Sequence, residues 1–463
     1  MKPNVRRVGD QFVSFLNKAV TPFHAVETCC NLLKDAGFCE LKEEEPWKIS
    51  PEKKYFVTRN KSCLFAFAVG GNWRPGNGFS MVAAHTDSPC LKVKPVSKLT
   101  CGGCLQVGVS TYGGGLWRTW FDRDLTIAGR VIVKEGDGLK QKLIRVQRPI
   151  LHIPNLAIHL DTDREKFVFN KEDHLRPILA SQAQEELVNA AAPDQEKKKV
   201  DHHSAFLVLL AKETGNKPED ILDFDLDVID AQPAALTGLY EEFVSGARLD
   251  NLVGTYTATL GLISSCEDSD SLKKDSNIRL ALCFDNEECG SGSAQGALTG
   301  LTTWLLQRLN ASVEAGGGTT HFEESIAKSF LLSADQAHAV HPNYKNKHEE
   351  NHQPSFHGGI VIKINYNQRY ATTGLTHAVV ELIAEKAGVK LQKFVVKNDS
   401  PCGSTIGPLL SAKLGIATVD LGTTQLAMHS IRELADITGI HDAILLYTKF
   451  YENLPQVLSS IRD

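Results

Sequence analysis

Cys283-Phe284-Asp285-Asn286-Glu287-Glu288-Cys289-Gly290-Ser291 is the stretch from which the rest of this chain can be read. The apolar run Arg279-Leu280-Ala281-Leu282-Cys283-Phe284 leads into it and reads as a buried strand. That strand stops in three carboxylates and a glycine, and a helical pattern runs from Ala294 to Leu309. Carboxylates at the C-terminal end of a strand, just before a helix, stand where open α/β sheets place their ligands. Two adjacent glutamates repel unless a cation holds them. A metal ion answers this, with one glutamate as ligand and its neighbour as base. A lone Glu-Glu pair is more often a solvated loop, so the partners have to come from elsewhere in the chain.

With 463 residues the chain exceeds the size at which one core usually divides, and two domains are expected. Its hydrophobic fraction of 42% and charged fraction of 23% are those of a soluble globular protein. A net charge of −5 gives no reason to expect nucleic acid or an anionic membrane as partner. The eleven cysteines form no framework, and Cys101-x-x-Cys104 has no second pair to complete a zinc knuckle. This usage suits a reducing compartment. No apolar run reaches the ~18 residues of a membrane span. Residues 1–13 carry Arg6-Arg7 without an apolar stretch behind them, unlike a signal peptide, so the expected location is the cytosol.

Along the chain, two helical patterns come first; the second starts at Thr21-Pro22 and stops at Gly37. Strands follow at Cys63–Val69 and Phe79–Ala84, the latter ending in His85-Thr86-Asp87-Ser88-Pro89. His85 and Asp87, two apart on an extended backbone, project to one side, so Asp87 can hold the His85 tautomer. Residues 92–241 differ in character. Alternating segments such as Gln106–Ser110 and Arg130–Val133 read as antiparallel strands. Gly113-Gly114-Gly115 lacks the ending of a phosphate loop and reads as a turn, which excludes an NTP-binding protein on this signal. Asn189–Lys199 reads as an exposed loop, His203–Leu210 and Pro218–Leu222 as helices, and His159 as a core or surface histidine. This region is expected to be an insertion into an α/β domain formed by residues 1–91 and 242–463. In that domain the rhythm resumes with Arg248-Leu249-Asp250-Asn251 before a helix, and Lys328–Ala334 before Asp335. Strand Gly359–Ile364 carries Lys363. Helices are expected at Leu375–Ala387, Thr405–Leu414 and Asp442–Phe450, and a last strand at Ile416–Leu421 runs on toward His429. Strands alternating with helices predict an α/β fold with a mostly parallel sheet covered on both faces.

His85, Asp250, Glu288, Asp335 and His429 thus stand at or just beyond the ends of apolar runs. Two imidazoles and three carboxylates are about the set that two divalent ions require if one carboxylate bridges them. Asp250 is expected to bridge, with Asn251 beside it. Glu287 is placed to take a proton from the attacking water.

The blocks Ala84-His85-Thr86-Asp87-Ser88-Pro89, Arg248-Leu249-Asp250-Asn251, Asp285-Asn286-Glu287-Glu288, Ser333-Ala334-Asp335 and Ala427-Met428-His429-Ser430 resemble those of the aspartyl aminopeptidases, and the resemblance spans nearly the whole chain. It implies a dinuclear zinc peptidase domain interrupted by a β-rich dimerisation domain, with dimers building a tetrahedral dodecamer. By match, His85, Asp250, Glu288, Asp335 and His429 resemble metal ligands, Glu287 the base, and Asp87 the residue that orients the ligand histidine. His159, His338, Lys363 and Tyr370, together with Glu287 and Asp335, match positions that contact substrate. The residue matching His159 reaches a neighbouring subunit's site.

The implied reaction removes an N-terminal Asp or Glu from a peptide. Hydroxide, formed because the ions lower the pKa of water, attacks a polarised carbonyl. Lys363, which alone would read as a surface lysine, is expected to read the acidic side chain. Zinc suits imidazole with carboxylate, while manganese or cobalt is possible at one position. Rival readings are a carboxypeptidase or deacylase of the same superfamily, and a peptidase-like binding protein without activity.

Overall fold

The computed structural model describes residues 2–190, 201–311 and 320–461. From residue 191 on, the loop expected at 189–199 lies outside them. The chain forms two compact units. The first takes in the chain up to Ser88, Ala234–Met428, and everything from Glu433 on. The second comprises Pro89–Pro233 and His429–Arg432.

The first unit is built on a nine-stranded sheet. Its strands, numbered along the chain, are β1 (Cys39–Glu40), β2 (Lys54–Arg59), β3 (Cys63–Val69), β4 (Phe79–His85), β5 (Ile278–Phe284), β6 (Phe330–Ala334), β7 (Ile360–Ile364), β8 (Leu391–Val395) and β9 (Ala417–Gly422). Their spatial order is β1-β2-β3-β5-β4-β6-β9-β7-β8. The centre, β5-β4-β6-β9, is parallel throughout, while β3 and β7 run antiparallel to the strands they flank there. Every residue of β3, β4, β5 and β6 is buried, as a sheet covered on both faces requires. Alternate residues feed two cores. Leu64, Ala66, Ala281 and Cys283 join the helices Pro3–Lys18, Pro22–Asp35, Leu249–Ser265 and Ile437–Ser459. Phe65, Phe67, Leu280 and Leu282 join Leu301–Ala311 and Ile406–Leu414.

Local signals explain most boundaries. The helix Pro22–Asp35 opens with the Thr21 side chain accepting the His24 N–H, and Gly37 beyond its end has φ 80°. Three helices differ from expectation. The pattern read over 294–309 becomes helical only at Leu301. Before it, Glu287–Cys289 forms a 3-10 turn, and the Asn286 side chain accepts from Ser293 and Gln295, diverting the chain into turns. Pro218–Asp220 is a single 3-10 turn, and Ile221 already opens the strand Ile221–Asp230. The last helix is longer than read, Ile437–Ser459, because the Asp436 carboxylate caps it at the Gly439 N–H.

A smaller sheet of five strands, Ala235–Thr237, Phe243–Gly246, Glu433–Asp436, Thr424–Leu426 and Ala337–His338, also belongs to the first unit. The stretch around Ala235, read from sequence with the insertion, pairs here.

In the second unit six strands close into a ring. Ile221–Asp230, Cys90–Cys101, Cys104–Tyr112, Ile178–Ser181, Leu151–His152 and Asp124–Glu135 each pair antiparallel with the next, and the last pairs back to the first. Gly138–Arg145 is added outside it on Asp124–Glu135. Cys101 and Cys104 are register partners across a two-residue turn in which Gly102 and Gly103 have φ 58° and 75°, and both thiols are free. Among the described residues no helix is long and apolar enough to cross a membrane.

Candidate metal centre

β5, β4 and β6 are adjacent and parallel, so the residues just beyond their C-terminal ends converge. His85 is the last residue of β4, Glu287 and Glu288 form the turn after β5, and Asp335 succeeds β6. Asp250 lies near the start of the helix Leu249–Ser265, at a kink where Asp250 (φ −83°, ψ 105°) and Asn251 (φ −124°, ψ 39°) leave the helical conformation. His85 Nε2 lies 3.4 Å from Asp250 Oδ1, 3.7 Å from Asp335 Oδ1 and 3.9 Å from Glu287 Oε2. Donor atoms of His85, Asp250 and Asp335 all fall within 4.8 Å of one another, as do those of His85, Glu287 and Glu288.

The charge balance of this cluster is the main physical fact about it. Asp87, Asp250, Glu287, Glu288 and Asp335 surround one imidazole. Burial alone would lower the pKa of His85; the charge of Glu287 and the contacts with Asp250, Asp335 and Asp87 outweigh it and raise the pKa well above the usual histidine range. Burial pushes Glu287 up to about 8, with Asp335, Glu288 and Asp250 adding to the shift against the opposing pull of His85. Asp335 Oδ1 is buried and accepts no hydrogen bond. Buried anionic oxygens in this number need a cation, and imidazole with carboxylate is a donor set that fits zinc.

The frame around the cluster is hydrogen-bonded throughout. Asp87 Oδ1 accepts the Glu287 N–H at 3.1 Å and Oδ2 the Glu288 N–H at 3.0 Å, while Oδ1 also lies 3.3 Å from His85 Nδ1. One residue thus lies against the histidine, through its carboxylate and through its carbonyl 3.1 Å from His85 Nδ1, and also accepts from the backbone of both glutamates, a contact absent from the sequence reading. Asn251 donates to Ala334 O at 2.7 Å and accepts from Gly254 N, so the helix start is tied to the end of β6. Gly254 permits that approach: a Cβ there would lie 2.5 Å from Ala334 O. Ser88 donates to Asp250 O, Thr255 to His85 O, and the Asp250 N–H donates to Glu433 Oε2 at 3.0 Å. Buried Glu433, with Gln425 and Gln336 in one chain of contacts, was not found from sequence; two glutamines in apolar surroundings were the only signal.

The other expected residues fall in several places. Lys363 is 2% exposed, not a surface lysine; its Nζ donates to Gln336 O at 3.0 Å and to Asp335 Oδ2 at 3.3 Å, and lies 5.2 Å from the Tyr370 ring centre. Tyr370 is buried, which raises its hydroxyl pKa above the ordinary value. His338 is exposed, its ring 5.8 Å from that of Phe394. His341 and His348 bond each other, and His352 pairs with Glu349. Two residues belong to the second unit. His159 lies in an exposed loop beside Leu156, Ile158 and Leu160, and His429 opens the segment His429–Arg432, its Nδ1 3.1 Å from Gly114 O.

Comparison with known proteins agrees with this chemistry. The aspartyl aminopeptidase of Caenorhabditis elegans is 56% identical over 466 residues, covering 99% of this chain and 98% of its own. The solved structure of Ape4 in its complex with Nbr1 superposes with a TM-score of 0.95 at 43% identity, over 99% of this chain and 88% of that one. The mApe1 dodecamer of S. cerevisiae gives 0.86 at 29% identity, over 98% and 99%. The family model described as aminopeptidase I zinc metalloprotease, M18, matches residues 15–451. The chain is therefore a hydrolase, a metallopeptidase that belongs to the M18 aminopeptidase family.

Proposed function

We propose that this protein removes N-terminal aspartate or glutamate from peptides at a centre of two divalent ions. The carrying observation is the convergence of His85, Glu287, Glu288 and Asp335 at three adjacent strand ends with Asp250 from the kinked start of the helix Leu249–Ser265. His85, Asp250, Glu288, Asp335 and His429 would hold the ions, with Asp250 shared between them. Zinc suits the donor set, and the family description names it. When bound, the metal supplies a Lewis acid and lowers the pKa of water. Glu287 accepts the proton of the attacking water and returns it to the leaving amine. Asp87 keeps His85 and the Glu287 backbone in register for this. A lysine has three N–H donors, and Lys363 commits two to Gln336 O and Asp335; the third is available for a substrate carboxylate. His338 and Tyr370 are proposed beside it. His159, on its exposed loop, is proposed to reach a second copy of the chain. The relative solved as a dodecamer supports a homo-oligomer, and dimerisation through the β-rich unit is proposed as its building step. Action in the cytosol is part of the same proposal.

Purified protein should hydrolyse Asp- and Glu-terminal peptides faster than Leu-terminal ones and leave N-acetylated Asp peptides intact. Chelation should stop the reaction and zinc should restore it. Glu287→Gln should lower kcat roughly 10²–10⁴-fold. Hydrolysis of the acetylated peptide at the same rate would replace this reading with a deacylase or carboxypeptidase. Full chelator resistance would end it.

A further inference from the structure

One buried carboxylate has no part in the reaction proposed above. Asp420, in β9, is fully buried and is the antiparallel register partner of Lys363 in β7. Its Oδ2 accepts the Ala371 N–H at 2.6 Å, and its Oδ1 accepts the Thr405 hydroxyl. Its own N–H donates to the Thr372 hydroxyl at 2.9 Å. The first turn of the helix Ile406–Leu414 rests on the same carboxylate: a Cβ on Gly407 would lie 2.4 Å from Asp420 Oδ1, so only glycine fits there. Burial raises the Asp420 pKa, and the Lys363 charge, the Thr405 hydroxyl and the Ala371 N–H oppose that rise.

A buried acid and a buried lysine on facing strands are a poor way to stabilise a core. An apolar pair of similar volume is often as stable or more so. What the arrangement supplies is placement. Asp420 grips residues 371 and 372, next to Tyr370, and faces Lys363, whose ammonium sits over the Tyr370 ring and on Asp335.

We infer that Asp420 is a positioning residue for the acidic-side-chain pocket: it fixes Lys363 and the Tyr370 segment together, and so sets the preference for Asp over neutral N-termini. This inference rests on the aminopeptidase reading above and deepens it. Asp420 acts through Lys363 and touches no reacting atom.

The test is a double-mutant cycle of Asp420→Asn and Lys363→Met, with kcat and KM measured for Asp- and Leu-terminal peptides, and zinc content determined. Asp420→Asn should lower the Asp/Leu ratio of kcat/KM about tenfold, mainly through KM, with zinc content unchanged. Added to Lys363→Met, it should lower the ratio no further. A ratio unchanged in a folded variant, equal losses on both peptides, or losses that multiply in the double variant would each overturn the inference. Should Asp420→Asn fail to fold, Thr405→Val, which removes one donor to the same carboxylate, must shift the ratio in the same direction by a smaller factor. An unmoved ratio there overturns it equally. Failure of the underlying reading looks different: the wild-type protein itself would show no preference for Asp, or no need for a free amine.

Discussion

At the scale of single residues, the centre is a problem of negative charge and its neighbours solve it by position. Asp87 spends both carboxylate oxygens on the backbone of Glu287 and Glu288 and keeps one against His85. Groups that orient metal ligands typically contribute 10–100-fold to activity or metal affinity. Asp87→Ala should therefore lower both kcat and zinc affinity by roughly that factor. A variant with wild-type turnover and undiminished zinc content would show that the turn holds without it. His85, Glu287, Glu288 and Asp335 were legible in the sequence because each breaks an apolar run where a strand must end. Taken alone, Lys363 passes for a surface residue, because a lone lysine near a strand end usually is one. Its burial depends on Asp335, a carboxylate 28 positions earlier in the chain, which no local pattern names. Asp420 was hidden for a related reason: inside Ile416–Leu421 a single acid passes for the solvent side of an alternating strand.

At the scale of elements, caps decide what periodicity leaves open. The helix read as Asp442–Phe450 extends back to Ile437 because Asp436 caps it, and that carboxylate also accepts the Thr424 hydroxyl and lies 3.3 Å from His357 Nδ1. The contact with Asp436 raises the pKa of His357 against a smaller opposing effect of burial. A histidine whose folded pKa is raised stabilises the fold fully below its unfolded value near 6.5 and loses that contribution as pH climbs through the folded value. His357→Gln should thus lower Tm more at pH 5.5 than at pH 8.5. A Tm difference independent of pH would mean that the pair contributes only through its neutral hydrogen bonds. The buried strands of the large sheet's centre were legible, since long apolar runs carry a strong signal, whereas Lys54–Arg59 and Ile221–Asp230 were not. The Ala294–Leu309 pattern misled because its apolar spacing continues through Gly296 and Gly300, which favour turns, and Asn286 rewards the turn with hydrogen bonds from Ser293 and Gln295.

At the scale of the whole molecule, the parallel centre of the large sheet brings distant segments to one place, and the cluster found there gathers carboxylates whose charge a cation would offset. Binding of zinc to the folded chain alone should stabilise it by about 2.7 kcal/mol at a free concentration near a hundred times Kd. Unfolding midpoints with chelator and with added zinc should differ accordingly; identical midpoints would mean that the folded chain gains nothing from the ion. The α/β rhythm announced this unit, but not which strands are neighbours: β5 inserts between β3 and β4 after nearly two hundred intervening residues, and pairing of that reach leaves no local trace. Closure of the β-rich unit carries a consequence of its own. A strand at an open margin is a template for whatever extended chain drifts past, and a closed ring offers almost none. Among the described residues the strand Gly138–Arg145 is paired on one side only. It is studded with Lys140 and Lys142, and Lys142 reaches over to the carbonyl of Thr214 at the end of a helix. Among the described residues, runaway growth of this β structure into fibres would begin on that strand, against two lysines already engaged with Glu135 and Thr214.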